Sequence, residues 1–215
     1  MIAGVDGCTR GWVAVRLLDA RWDGYEVVPT FADLLARLPN AEAIGVDIPI
    51  GLPLSYPRPA DVAARRFVGP RGSSVFPTPL REALVAATHA EGSALHAAAT
   101  GKGVSRQTFE LRHKILEVDA VAESDERVLE VHPEVSFREL AGAPVTLPKR
   151  GAPGRALRRE LLASAGIELP AEIPRAVEGD VIDAAVVAWT AQRYVRGDAK
   201  PLPENHSTRI GAIWR

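Results

Sequence analysis

Three short apolar segments of this chain each carry an acidic residue at or near their C-terminal end. The segments MIAGVD, AEAIGVDI and VLEVH contain Asp6, Asp47 and Glu130, respectively. Apolar runs of this length, bounded by glycine and proline, are typical of buried β-strands. If the three strands are parallel neighbours, their carboxyl ends lie along one edge of the sheet, where ligands bind in open α/β sheets. The sequence therefore predicts a cluster of carboxylates at that edge.

The other segments fit a mixed α/β sheet. Residues 11–18 and 25–31 are two further strand candidates, and the pair Asp23-Gly24 between them is a hairpin signal, so the first three strands form an antiparallel meander. The whole pattern reads βββαβ, then a helical insertion, then βα and closing helices. A meander followed by right-handed crossovers predicts a mixed sheet with helices on both faces.

Composition indicates one globular domain. The 215 residues are 47% apolar and 25% charged, so we expect a single domain over residues 1–215 with a helical insertion at about residues 54–104. The formal net charge of −1 argues against broad electrostatic capture of nucleic acid but leaves room for a local basic groove. Cys8 is the only cysteine of the sequence, so no intramolecular disulfide forms. The first residues do not resemble a signal peptide, and no apolar run approaches the ~20 residues of a membrane span, so we expect a cytoplasmic protein without a membrane partner.

A fourth acid, Asp183, lies in the long apolar segment GDVIDAAVVAWTA. An acid inside a buried helix is costly unless it is paired or binds metal. Mg²⁺ and Mn²⁺ prefer oxygen ligands, and two such ions about 3.5–4 Å apart can promote phosphodiester cleavage. Asp180, one turn earlier, is an auxiliary candidate that also suits a helix N-terminus, and Glu134 has the same structural interpretation. A single acid after a strand is more often a cap, so the metal hypothesis depends on four acids together: Asp6, Asp47, Glu130 and Asp183.

Several basic and hydroxyl side chains outside this group have the chemistry to contact phosphate. Each of them is equally suited to a solvated surface, and the sequence leaves both interpretations open. His132 lies two residues after Glu130 on the same strand face, where it is either a proton carrier or a structural histidine. The candidates for substrate binding are Arg65, Arg66, Ser74, Lys114 and Lys149.

Six sequence blocks together resemble a known family. They are GVDGCTRGW, GVDIPIGLP, AARRFVGPRGSSVFPTP, QTFELRHKILEVD, LEVHPEVSF and GDVIDAAVVAW. In combination they are similar to the domain-of-unknown-function 429 family of predicted RNase H-like nucleases, and the similarity runs from Asp6 to Trp189. The resemblance implies an RNase H-like fold with sheet order 3-2-1-4-5 and strands 1, 4 and 5 parallel. In that fold acids on strand 1, strand 4 and the last helix hold two metal ions, and the matching positions here are Asp6, Asp47 and Asp183, with Glu130 added from strand 5.

Three functions follow as hypotheses. The first is a Mg²⁺- or Mn²⁺-dependent nuclease that hydrolyses DNA or RNA with the carboxylate cluster. The second is a nucleotide or small phosphate-ester hydrolase, and the third is a non-catalytic binding module, because fold alone does not fix function. The sequence does not distinguish DNA from RNA, and it leaves a homodimer open.

Overall fold

The computed structural model describes residues 1–175 and 177–215. Five strands form the main sheet, and a separate pair of short strands lies near the C-terminus. The main strands are β1 (Ile2–Cys8), β2 (Gly11–Leu18), β3 (Arg21–Val28), β4 (Ala43–Val46) and β5 (Val128–Glu130), and the short pair is β6 (Pro201–Leu202) and β7 (Ile213–Trp214).

The main sheet has the predicted order, β3-β2-β1-β4-β5. β1, β2 and β3 form an antiparallel meander, whereas β1, β4 and β5 run parallel to one another. Val5 of β1 is paired with Val46 of β4, which in turn is paired with Glu130 of β5. The carboxyl ends of all three strands therefore lie side by side, so the prediction of a mixed α/β sheet with this order is confirmed.

The turn between β2 and β3 lies earlier in the chain than predicted. Asp19 and Ala20 form it with φ angles of 50° and 68°, the left-handed conformation that a type I′ hairpin turn requires at both central positions. Gly24, predicted as part of the turn, instead lies within β3 at φ 146°, where the register shifts between Arg16 and Leu17. The hairpin prediction at Asp23-Gly24 was therefore wrong, because its glycine serves a β-bulge rather than a turn.

Helices cover both faces of the sheet. They are α1 (Phe31–Arg37), α2 (Pro59–Val68), α3 (Arg81–Val85), α4 (His89–Thr100), α5 (Arg106–Glu110), α6 (Arg112–Ala122), α7 (Pro133–Ala141), α8 (Ala152–Ser164) and α9 (Glu178–Arg196), with a 3-10 helix at Gly69–Ser74. Five of these helices, α2 to α6, lie between β4 and β5. None of the helices in the described ranges combines the length and apolar character that crossing a membrane requires.

Alternate residues of the central strands point into two separate cores. Val13 and Val15 of β2 pack with α9 on one face, and Trp12 and Ala14 pack with α1 and α6 on the other. This alternation is the period of two that a sheet buried on both sides requires. The helices on the two faces hold the parallel strand ends between them, and the candidate site lies at those ends.

Candidate functional site

Asp6 and Asp47 are brought together by the pairing of β1 with β4. The backbone N–H of Asp47 donates a 2.9 Å hydrogen bond to the carbonyl oxygen of Val5, which extends the parallel register to the end of β4. Asp6 is the next residue of β1. The two side chains are thus adjacent at the carboxyl edge of the sheet, as the strand pattern predicted, and each keeps part of its surface exposed.

Helix α9 crosses β1 so closely that it carries Asp183 to the same edge. A Cβ atom on Gly4 of β1 would lie 2.1 Å from the carbonyl oxygen of Ala184 and 2.2 Å from the backbone nitrogen of Ala188. Only glycine permits this approach of backbone to backbone. Asp183, one residue before Ala184, is 2% exposed and lies over the end of the sheet. We call Asp6, Asp47 and Asp183 the acid cluster.

The members of the acid cluster interact electrostatically. Burial raises the pKa of Asp6 well above its usual value, and the charges of Asp47 and Asp183 raise it further. Burial also raises the pKa of Asp47 to about 7, with a further contribution from Asp183. Asp180 lies one turn earlier on α9, and its pKa is raised by burial and by Asp183. Gathered carboxylates of this kind require compensating positive charge.

In this structure Lys149 supplies that charge. Its ammonium group lies 2.5 Å from Oδ2 of Asp183. Although burial lowers the pKa of Lys149, the carboxylates of Asp183, Asp47 and Asp6 raise it above its usual value. The sequence left Lys149 open between a phosphate contact and a surface residue, and the structure places its charge among the acids.

The carboxylate oxygens of the acid cluster are suitable ligands for a divalent cation. Carboxylate oxygens at the edge of a parallel sheet are the donors that Mg²⁺ and Mn²⁺ prefer. Within residues 1–175 and 177–215, no three Asp, Glu, His or Cys side chains are grouped closely enough to hold a metal ion as they stand. The attraction of the cluster for Lys149 shows that it favours positive charge, so the donor set suits a cation that displaces the ammonium group from Asp183.

Glu130 does not join the acid cluster, contrary to the prediction. Its two carboxylate oxygens accept hydrogen bonds of 2.5 and 2.7 Å from the guanidinium group of Arg58, and Oε2 also accepts one of 2.7 Å from the backbone N–H of Ile50. Arg58 in turn binds Asp61 at 2.6 Å, and all three charged side chains are buried. Burial raises the pKa of Glu130 to about 7, against the opposing effect of Arg58. With both oxygens engaged, Glu130 supports the loop after β4 rather than presenting a metal ligand.

Glu134 is a further buried acidic residue at the site. From the sequence it was interpreted only as a residue that suits a helix N-terminus. It lies in the first turn of α7 and is 4% exposed. Its Oε1 binds Arg158 at 2.7 Å and its Oε2 binds Arg71 at 3.3 Å. Its charge also contributes to the raised pKa of Asp47. The only signal in the sequence was an acid directly after Pro133, which is equally typical of an ordinary helix N-terminus.

His132 acts as a structural link at the start of α7. Its Nδ1 accepts a 3.2 Å hydrogen bond from the backbone N–H of Glu134. Burial lowers the pKa of His132, and the charge of Lys149 lowers it further, so the site disfavours the protonated ring. Of the two interpretations left open by the sequence, the structure favours the structural histidine.

Only some of the predicted phosphate-binding residues line the site. Ser74 lines the site, and its hydroxyl donates a hydrogen bond to the carbonyl oxygen of Arg71. Arg65 donates to the carbonyl oxygen of Val75, and Arg66 is exposed on α2. Neither of these two arginines lines the site. Lys114 does not line the cleft, because its ammonium donates to the carbonyl oxygen of Gly11 and lies 4.4 Å from the centre of the Trp12 ring. It is nevertheless close to Asp6: burial lowers the pKa of Lys114, and the charge of Asp6 opposes that shift.

A cleft of about 660 Å³ opens beside the acid cluster. One wall carries the acids at the sheet edge, and the other comes from the segment between β4 and β5, which contributes hydroxyl and amide side chains. This second wall includes Arg71, Ser73, Ser74, Phe76, Ser105, Gln107 and Thr108. The segment between β4 and β5 therefore lines the same cleft as Asp6 and Asp47, where it would contact whatever enters.

Comparison with known proteins identifies the chain at the level of a family. The family model described as "Protein of unknown function (DUF429)" matches residues 4–208. No curated protein and no solved structure matches the chain. The match covers β1 to the segment before β7, and so includes every residue of the acid cluster.

Proposed function

The chain belongs to the DUF429 family of proteins of unknown function, and we propose that it is an RNase H-like, divalent-metal-dependent hydrolase of phosphodiester bonds in nucleic acid. The observation that carries this proposal is the acid cluster itself. Asp6, Asp47 and Asp183 come from two parallel strands and one crossing helix, and burial and mutual repulsion raise the pKa of Asp6 and Asp47. Strongly perturbed carboxyl groups beside a cleft are characteristic of functional sites.

The sheet supports the RNase H-like assignment. A meander followed by two parallel strands, in the order β3-β2-β1-β4-β5, is the arrangement expected for that fold. The acids lie at the ends of the first and fourth strands and in the last long helix, α9. Strand order and acid positions are independent features, and both favour the same fold and the same site.

Asp6, Asp47 and Asp183 would hold the Mg²⁺ or Mn²⁺ ions. Bound there, the metal supplies Lewis-acid activation of water and charge stabilisation on the phosphate. Lys149, released from Asp183, is then free to contact a phosphate oxygen, because its side chain is 46% exposed on the loop between α7 and α8. Glu134 holds Arg71 at the cleft wall, where the guanidinium group can bind the substrate backbone.

The charge of the chain favours a short or single-stranded substrate over a long duplex. Duplex binding by phosphate contacts requires a broad positive face, whereas this chain has a formal net charge of −1. Three positive side chains, Arg71, Lys149 and Arg150, do line the cleft, where they can contact the phosphates of a short strand.

The test is cleavage of labelled single-stranded, duplex and branched DNA and RNA with Mg²⁺ or Mn²⁺. The wild-type chain is compared with Asp6→Asn and Asp183→Asn, and with Asp198→Asn as the matched control. Asp198 is exposed just beyond the C-terminal end of α9, and the helix from Asp183 to its last residue, Arg196, is about 20 Å long. We expect metal-dependent cutting by the wild type and the control, and a loss of at least about 100-fold in both site variants. Cutting that persists in both site variants would contradict the proposal.

A hydrolase of nucleotides or small phosphate esters is the second candidate. The volume of the cleft, about 660 Å³, lies within the range of about 300–1,000 Å³ that is typical of small-molecule sites. Metal-dependent release of phosphate from nucleotides, without cutting of any oligonucleotide, would favour this candidate.

A further inference from the structure

A second cavity of about 390 Å³ adjoins the cleft and is lined in part by Asp183. It is bounded by the loop before α8, the body of α8 and the first turn of α9. We call it the basic pocket, and its lining residues are Lys149, Arg150, Arg155, Arg158, Arg175, Glu178, Gly179, Asp180, Ile182 and Asp183. The cleft and the basic pocket share Lys149, Arg150 and Asp180, so the two cavities adjoin at this point.

Most of the positive side chains of the basic pocket are already engaged by carboxylates. Arg158 is fully buried and binds Glu134, as described above. Arg155 lies 3.1 Å from Glu178, and its guanidinium group also donates a 2.8 Å hydrogen bond to the carbonyl oxygen of Arg150. Together with the pair formed by Lys149, these contacts hold the framework of the pocket in place.

Arg150 and Arg175 differ from the other basic residues of the pocket in their exposure and in their contacts. Both are exposed, and neither forms an ion pair with any residue of the described ranges. A guanidinium group that lines a cavity without a carboxylate partner keeps its hydrogen-bond donors available for an anion. Its planar arrangement of donors matches the oxygens of a phosphate.

We propose that the basic pocket binds a backbone phosphate of single-stranded nucleic acid, next to the phosphate held in the cleft. This inference rests on the proposed function and adds a path for the strand, which runs from the cleft past Asp183 to Arg150 and Arg175. Two adjoining cavities suit consecutive nucleotides of one strand better than a single small ester. Phosphate contacts of this kind fix the position of the strand without reading its bases.

Binding of a fluorescein-labelled oligothymidylate tests the inference through its salt dependence. Fluorescence anisotropy is measured in EDTA, so that no cutting occurs, for the wild-type chain and for the double variant Arg150→Gln/Arg175→Gln. Each lost phosphate contact on a single strand makes the slope of log K against log[salt] shallower by about 0.7. We expect the slope of the double variant to be shallower by about 1.4 and its affinity at low salt to fall by about 10-fold.

Arg21→Gln is the matched control, because Arg21 is an exposed arginine at the start of β3. Its binding curve should coincide with that of the wild type. Equal salt slopes for the wild type and the double variant overturn the pocket assignment, as does a wild-type chain that does not bind the oligonucleotide. The proposed function is decided separately, by metal-dependent cleavage and its loss in Asp6→Asn.

Discussion

Lys149 and Asp183 form an ion pair of 2.5 Å between partners that differ sharply in exposure. The lysine side chain is 46% exposed, whereas that of the aspartate is 3% exposed. The carboxylate is fixed within α9, but the ammonium belongs to a loop and can move outward into solvent. The pair therefore compensates a buried charge with a cation that a divalent metal ion would replace in the proposed function.

The first prediction concerns stability in the absence of metal. The pKa of Asp47 is raised from 3.8 to about 7, and that of Asp6 is raised in the same direction. The native state thus keeps these protons at pH values where the unfolded chain has lost them. The stabilising contribution is fully present below about pH 4 and is lost as the pH rises through about 7. In EDTA, the free energy of unfolding from urea titrations should fall between about pH 4 and pH 7 and level off above that range.

Asp47→Asn should weaken this dependence on pH, because an amide does not ionise. Asp47 keeps part of its surface exposed to the cleft, so we expect the fall to become smaller by about 1–2 kcal/mol rather than by the full value of the shift. Asp198→Asn should behave as the wild type. If the free energy of unfolding of Asp47→Asn fell with pH as steeply as that of the wild type, the raised pKa of Asp47 would not contribute to stability.

The second prediction is that a divalent cation stabilises the folded chain. A ligand that binds only the native state raises the free energy of unfolding by about 2.7 kcal/mol at a concentration of 100 times its Kd. We expect Mg²⁺ or Mn²⁺ at pH 7.5 to raise the Tm of the wild type and of Asp198→Asn. The increase should be absent in Asp6→Asn and Asp183→Asn. An equal increase in all four proteins, with ionic strength matched by NaCl, would indicate non-specific binding.

The third prediction concerns the exchange of Lys149 for metal. Lys149→Met leaves the buried carboxylate of Asp183 without its partner, and removal of one partner of a buried pair is destabilising. Because the lysine is half exposed and solvent screens the pair, we expect a loss of about 1–2 kcal/mol in EDTA. Mg²⁺ should restore most of this loss, so the increase in Tm on adding metal should exceed that of the wild type. Lys102→Met, an exposed site in the insertion, is the control. No greater metal response in Lys149→Met would contradict the exchange.

The sequence predicted the sheet and most of the acid cluster for identifiable reasons. The carboxyl ends of parallel neighbouring strands lie at one edge of the sheet regardless of the loops between them. The apolar segments alone were therefore enough to predict that Asp6 and Asp47 lie together. Asp183 was found because an acid within an apolar helix needs a partner. What could not be read from the sequence were contacts between distant segments: Glu130 is bound by Arg58, 72 residues earlier, and Lys149 reaches Asp183 from a loop. A carboxylate at a strand end, such as that of Glu130, can therefore be paired with a basic side chain from an inserted segment instead of binding metal.

The fourth prediction tests whether Glu130 supports the loop after β4 or binds metal. The buried group of Arg58, Asp61 and Glu130 contains one cation and two acids. Arg58→Met leaves both carboxylates buried without their cation, and we expect a loss of about 3–5 kcal/mol in the free energy of unfolding. Glu130→Gln keeps the shape of the side chain and leaves Arg58 paired with Asp61, so its loss should be smaller.

The decisive comparison is the effect of metal on Glu130→Gln. As a support of the loop after β4, Glu130 should affect the Tm in EDTA but not the increase that Mg²⁺ produces. As a metal ligand, it would abolish that increase, as Asp6→Asn is expected to do. Glu126→Gln, at an exposed position shortly before β5, is the matched control and should leave both quantities unchanged. Because the two roles predict opposite outcomes for the same measurement, one set of melting curves with and without Mg²⁺ decides between them.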